Sequence, residues 1–249
     1  MHIASAIFDR SAACLEDCPD ESLPEFAFIG RSNVGKSSLL NMLAGKERLA
    51  RVSPTPGFTK LINFFTINKV WRLVDLPGYG FAEGSRKKTM QFNRAVSFYL
   101  QKRPNLCCIF LLIDSGLLPQ PIDLEFLEWL TTHRLPFVIV FTKTDRGNEA
   151  EVETNITAFT EKIGAWFAQL PEMFRCSSNT GTGRTELLKL IEATVVAGSV
   201  EEEPVEPTVA AEAALPIEEE APKKLSVRAG QERDPQGFSK RQLKSKRPW

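Results

Sequence analysis

The chain has 249 residues, 43% of them apolar and 25% charged, with 31 basic against 31 acidic side chains. That suits a folded domain with an extension, and the even balance excludes a globally basic nucleic-acid binder. No run of about 18 apolar residues is present to span a membrane. Five scattered cysteines, an odd number, read as reduced thiols and not as a disulfide framework. The opening MHIASAIFDRSAACLEDCPDE has neither the basic start nor the apolar run of a signal peptide, so a cytoplasmic location is expected. Cys14 and Cys18 form a C-x3-C pair with neither histidine near, and are read as ordinary loop thiols and not as zinc ligands.

Taken in chain order, EFAFIG (25–30) reads as a strand, and SSLLNMLAG (37–45) as a helix ending at Gly45. LINFFTIN (61–68) and VWRLVD (70–75) are strands joined tightly around Asn68–Lys69, which predicts an antiparallel hairpin. MQFNRAVSFYL (90–100) continues as a helix. NLCCIFLLID (105–114) and LPFVIVFTK (135–143) are nearly unbroken apolar runs, as in strands covered on both faces. Between them PIDLEFLEWLTTHR (121–134) has helical apolar spacing. Residues 149–170 and 183–197 read as further helices, with a short strand before Cys176. Alternating strands and helices imply an α/β sandwich, mostly parallel, with helices on both faces.

The charge balance conceals an asymmetry near the end. Residues 200–222 hold eight acidic and no basic side chains, and 223–249 hold nine basic and two acidic ones. The first stretch is too poor in large apolar residues to offset its ordering entropy, so a folded domain over 1–198 and a disordered extension over 199–249 are expected. Lys240, Arg241, Lys244, Lys246 and Arg247, with Phe238 or Trp249, suit contact with RNA or equally a solvated tail.

Four segments carry the chemistry. Gly30-Arg31-Ser32-Asn33-Val34-Gly35-Lys36-Ser37 is a G-x-x-x-x-G-K-S between a strand and a helix. Its glycines let backbone N–H groups turn inward toward phosphate oxygens, and the helix adds its dipole. Lys36 reaches the β- and γ-phosphates, and the Ser37 hydroxyl suits Mg²⁺. Asp75-Leu76-Pro77-Gly78 closes a strand, so Asp75 can reach Mg²⁺ through water and the Gly78 amide the γ-phosphate. Loss of that phosphate would release the segment, an order–disorder switch. Thr142-Lys143-Thr144-Asp145 ends another strand, and its carboxylate suits guanine N1–H and the 2-amino group, donors that adenine lacks. Cys176-Ser177-Ser178-Asn179 sits where a second guanine-contacting loop belongs, with an amide near Ser178 for guanine O6. In Val52-Ser53-Pro54-Thr55-Pro56-Gly57-Phe58-Thr59-Lys60, Thr59 or Thr55 suits the Mg²⁺ shell, and Thr59 is preferred because it lies just before a strand.

Together GRSNVGKSS, TPGFTKLINFF, DLPGYGFA, TKTD and CSSNTGTG resemble the EngB family of bacterial GTP-binding proteins, over roughly residues 2–197. The resemblance implies a P-loop GTPase fold, a six-stranded, mostly parallel sheet with an antiparallel edge hairpin between helices. It implies GTP/GDP and Mg²⁺, a role in assembling the large ribosomal subunit in contact with its rRNA and proteins, and a need in normal division and septation. The candidate nucleotide-contacting set is Gly30, Arg31, Ser32, Asn33, Val34, Gly35, Lys36, Ser37 and Ser38; then Gly57, Phe58, Thr59, Lys60 and Leu61; then Asp75, Leu76, Pro77 and Gly78; then Thr142, Lys143, Thr144 and Asp145; and last Cys176, Ser177 and Ser178. Ser37, Thr59 and Asp75 are the metal candidates, and Lys36, Thr59 and Gly78 the catalytic ones. Phe58 stands where the family usually has a basic or similar polar residue, and TKTD where it has TKAD or TKSD.

Many small GTPases orient the attacking water with a glutamine after D-x-x-G. Tyr79 stands there and has no amide, so slow intrinsic hydrolysis without a side-chain base is expected. An asparagine at position 33 resembles GTPases that bind K⁺ beside the phosphates, which would supply charge as an arginine finger does. Arg86-Lys87-Lys88 suit RNA phosphates or a solvated helix start. A monomer is expected. A small-molecule phosphotransferase is disfavoured by TKTD and the hairpin. A septation or signalling GTPase with a protein partner is the alternative that the core motifs leave open.

Overall fold

The computed structural model describes residues 1–47, 49–50, 61–79 and 86–200, apart from the side chains of 86–93 and of 199 and 200. In chain order the elements are β1 (Ala6–Ala12), a 3-10 turn at Leu15–Asp17, β2 (Glu25–Gly30), α1 (Lys36–Ala44), β3 (Ile62–Ile67), β4 (Trp71–Asp75), α2 (Arg86–Lys102), β5 (Leu106–Asp114), α3 (Pro121–Thr132), β6 (Phe137–Thr142), α4 (Glu149–Gly164), β7 (Met173–Arg175) and α5 (Arg184–Val200). The strands form one sheet of order β1-β3-β4-β2-β5-β6-β7. Pairs β1/β3 and β3/β4 are antiparallel and the others parallel.

The expected architecture holds, with one correction: the sheet has seven strands, not six. The added strand is β1, an edge strand held by backbone pairing to β3. Its AIFDRSA buries only the terminal alanines, while Ile7 and Phe8 are 57% and 52% exposed. It therefore lacks the period-2 pattern by which a half-buried strand is recognised.

The hairpin turn is as predicted. Asn68 and Lys69 have φ of 50° and 60°, the paired left-handed geometry that a two-residue connection needs. The Asn68 carboxamide also accepts from the Ala4 and Ser5 amides at 2.8 and 3.0 Å, tying the N-terminal segment to the turn. Helix α3 stops at Thr132, two residues short of expectation, where Arg134 turns to φ 52°. Helix α4 stops at Gly164 and not at 170, and α2 starts earlier than expected, at Arg86.

Alternate strand residues feed cores on opposite faces of the sheet. Ala27 and Ile29 of β2 join Tyr99 of α2, Leu127 of α3 and Phe159 of α4. Phe26 and Phe28 join Leu39 and Leu40 of α1 and Leu187 and Ile191 of α5. Strand β5 divides likewise, which explains its unbroken apolar run. At the sheet end remote from the phosphate loop, fully buried Glu25 accepts from Arg103 Nε at 2.9 Å and from Tyr99 Oη at 2.9 Å. Among the described residues no helix is long and apolar enough to cross a membrane. None of their His, Cys, Asp and Glu side chains cluster as a metal site, and Cys14 and Cys18 are free thiols. Residues 201–249, with the acidic and basic runs, lie outside the described residues.

Candidate nucleotide-binding site

Strand β2 delivers the phosphate loop between β4 and β5. A Cβ at Gly30 would lie 2.7 Å from the Leu112 carbonyl oxygen, so the loop leaves the sheet closer to β5 than any other residue allows. Gly35 turns at φ 103°, and the chain then enters α1. Ser37 and Ser38, half-buried, fall in that helix's first turn, where unpaired N–H groups and the dipole favour an anion. Lys36 is 8% exposed and donates to the carboxylate of Asp75, itself 3% exposed. The loop lysine and the carboxylate closing β4 therefore converge at the helix N-terminus beside Ser37.

The D-x-x-G segment is stitched to the phosphate loop through its backbone. Leu76 N–H donates to Phe28 O at 3.1 Å, Tyr79 N–H to Gly30 O at 3.2 Å, and Ser32 N–H to Tyr79 O at 3.3 Å. At Gly78 an added Cβ would lie 3.0 Å from Gly30 O and 3.2 Å from Ser32 N, so any larger residue would crowd the loop backbone. The Tyr79 side chain turns away from the loop. Its hydroxyl donates to Asp123 Oδ1 at 2.9 Å and its ring stacks on Phe126 at 4.6 Å.

The TKTD segment braces the same loop from β6. Thr142 Oγ1 donates to Val34 O at 2.6 Å and bonds Ile113 O at 3.2 Å. Lys143, at φ 60°, donates to Asn33 O at 2.8 Å and to the Asp114 carboxylate. Thr144 N–H donates to Cys176 O at 3.2 Å, which joins the two proposed base-contacting segments. Asp145 accepts from Asn179 Nδ2 at 2.8 Å. The Ser177 hydroxyl first, then Asn179, hold its carboxyl below the usual carboxylate range, so it is an anionic acceptor at neutral pH. Ser177 Oγ accepts from the amides of Asn179 and Thr180 at 3.2 and 3.1 Å, shaping the second loop.

The structure thus brings Gly30–Ser38, Asp75–Gly78, Thr142–Asp145 and Cys176–Ser178 to one end of the sheet. Gly57, Phe58, Thr59 and Lys60 lie outside the described residues, and Leu61 leads into β3 at 41% exposure. Sequence reasoning missed Asp114, which orients Lys143, and placed Asn179 in the second loop without its role in orienting Asp145. Their signals were weak: Asp114 ends an apolar strand, and Asn179 sits in a polar loop. It also missed Arg184, whose guanidinium donates to Met42 O at 2.8 Å and Leu43 O at 3.0 Å at the C-terminal end of α1.

The donor set fits a nucleoside phosphate with a divalent cation. The narrow Gly30 and Gly78 approaches turn the loop backbone inward, a buried ammonium faces the cradle, and Ser37 and Asp75 offer hard oxygens. Residues 25–143 match the model of a family described as 50S ribosome-binding GTPase. A probable GTP-binding protein EngB from Phocaeicola vulgatus is 48% identical over 193 residues, covering 78% of this chain and 96% of that protein. Its counterpart from Christiangramia forsetii is 45% identical over 192 residues, 77% of this chain and 97% of that one. A crystal structure of a probable GTP-binding protein EngB superposes with a TM-score of 0.55 at 25% identity, covering 70% of this chain and 99% of that one.

Proposed function

Because the chain belongs to the EngB family of GTP-binding proteins and is a GTPase, we propose that its nucleotide state gates association with a precursor of the large ribosomal subunit. Hydrolysis of GTP to GDP ends that association. The observation that carries this reading is the match of residues 25–143 to a family described as ribosome-binding GTPases, on a chain whose phosphate loop and D-x-x-G segment are joined backbone to backbone. A change at the γ-phosphate is then felt directly by the segment that leads into α2. The need in division and septation follows from failed ribosome supply. The G domain spans 1–198, works as a cytoplasmic monomer, and carries 199–249 as an extension.

In this reading Lys36 neutralises the β- and γ-phosphate oxygens, the amides of residues 31–35 cradle them, and the Gly78 amide detects the γ-phosphate. Ser37, Asp75 and Thr59 would hold Mg²⁺, which would neutralise phosphate charge when bound. Thr142 and Lys143 keep the loop rigid, and Asp145 with the Ser177–Ser178 loop selects guanine. Tyr79 faces Asp123 and supplies no base, so intrinsic hydrolysis is slow. Asn33 accommodates K⁺ beside the phosphates, and turnover in K⁺ buffer exceeds that in Na⁺ buffer; equal rates contradict this part.

Depletion of the chain in its own cell separates this reading from a septation GTPase with a protein partner. Early accumulation of large-subunit precursors in sucrose gradients, before cells elongate, is expected. Division defects preceding any change in the gradient overturn it.

A further inference from the structure

Three segments meet at one buried carboxylate. Asp123, in the first turn of α3, is 2% exposed. Its Oδ1 accepts from the Tyr79 hydroxyl at 2.9 Å, and its Oδ2 lies 3.8 Å from Arg31 Nε. Arg31 is the second residue of the phosphate loop, and Tyr79 directly follows the D-x-x-G glycine. Arg31 and Tyr79 also pair as an isolated parallel bridge. The two backbone bonds flanking that bridge are long, 3.2 and 3.3 Å, at the weak end of their range.

We propose that Asp123, together with Arg31, is a positioning residue for the GTP state: by holding the Tyr79 hydroxyl it fixes the Gly78 amide against the phosphate loop. The proposal rests on the reading of that amide as the γ-phosphate contact. A carboxylate is costly to bury, and an apolar residue would pack as well against Phe126 if packing were its only task. The Tyr79 ring already stacks on Phe126, at 4.6 Å and 21° between planes. The hydroxyl adds direction to that contact, because it anchors the ring at its far end. Burial and then Asp123 push the Tyr79 phenol well above its ordinary value, so the phenol stays the donor. Burial raises the Asp123 carboxyl, while the Tyr79 hydroxyl and Arg31 oppose the rise.

The Gly78 amide meets nucleotide only when a γ-phosphate is present, so the latch affects GTP and not GDP. Full-length Tyr79→Phe, which removes a single oxygen, and Asp123→Leu are compared with the parent chain for binding of GDP and of a non-hydrolysable GTP analogue. The expected result is a fall of about tenfold in preference for the analogue over GDP, with GDP affinity within about twofold, since one hydrogen bond to a charged group is lost. Single-turnover hydrolysis falls by a similar factor. Asp123→Asn, which still accepts from the phenol, recovers most of the preference. Equal loss of both affinities, or a lowered melting temperature with the preference intact, overturns the proposal and leaves a packing role. Gly78→Ala keeps the N–H but crowds Gly30 O and Ser32 N and so displaces that amide from the loop, which tests the underlying reading separately. If it leaves the preference intact, the γ-phosphate contact is wrong; if it abolishes the preference while the latch variants do not, the latch alone is wrong.

Discussion

In the proposed site Asp145 decides the base, because its carboxylate offers two acceptors to a ring edge that presents two donors. Ser177 and Asn179 orient it and keep it ionised. Asp145→Asn replaces one acceptor by a donor. Xanthine has a carbonyl where guanine has the 2-amino group, so the variant is matched to xanthine. Displacement of a fluorescent GDP should show guanine affinity reduced by roughly 100-fold or more, with xanthosine diphosphate gaining. Unchanged guanine affinity places the base elsewhere. Asp145 was legible because T-K-x-D at a strand end has one chemistry behind it. Asn179, the residue orienting it, was not, since an asparagine in a polar loop is compatible with many turns. Tyr79 was legible only as the absence of a glutamine. Its attachment to Asp123 across 44 positions is a long-range contact, and local sequence carries no sign of it.

The elements show a related contrast. Strands β5 and β6 were readable because both faces are covered, and their apolar runs say so. The β3–β4 turn was readable because an asparagine, which tolerates left-handed geometry, stands between two strong strands. Strand β1 was not, because its stability comes from backbone bonds to β3 while its side chains face outward. The residue directly after α2 is tied to β2 by charge. Arg103 Nη2 bonds Glu25 Oε1 at 2.7 Å and Pro19 O at 2.7 Å, and Glu25 is fully buried. Arg103→Leu leaves that carboxylate with Tyr99 and only the longer 3.7 Å pair to Arg72, and should cost about 3 kcal/mol in urea unfolding. The double variant Glu25→Leu, Arg103→Leu should recover a substantial part of the loss, since removing the buried charge removes its penalty. A single variant within about 0.5 kcal/mol of the parent contradicts a paired buried charge there.

At the scale of the molecule, a doubly covered sheet fixes four loops at one end, and the D-x-x-G segment is joined to the phosphate loop by backbone bonds. In the proposed function a nucleotide change at this end of β2 reaches α2, which Arg86, Lys87 and Lys88 begin. A ribosomal precursor presents phosphates, so the association should weaken steeply with salt. The decisive measurement is co-sedimentation of the full-length chain with large-subunit precursors, loaded with either a non-hydrolysable GTP analogue or GDP. Binding with the analogue, absent with GDP and lost as salt rises, is the expected result. Equal binding in both states, or none in either, contradicts a GTP-gated assembly factor.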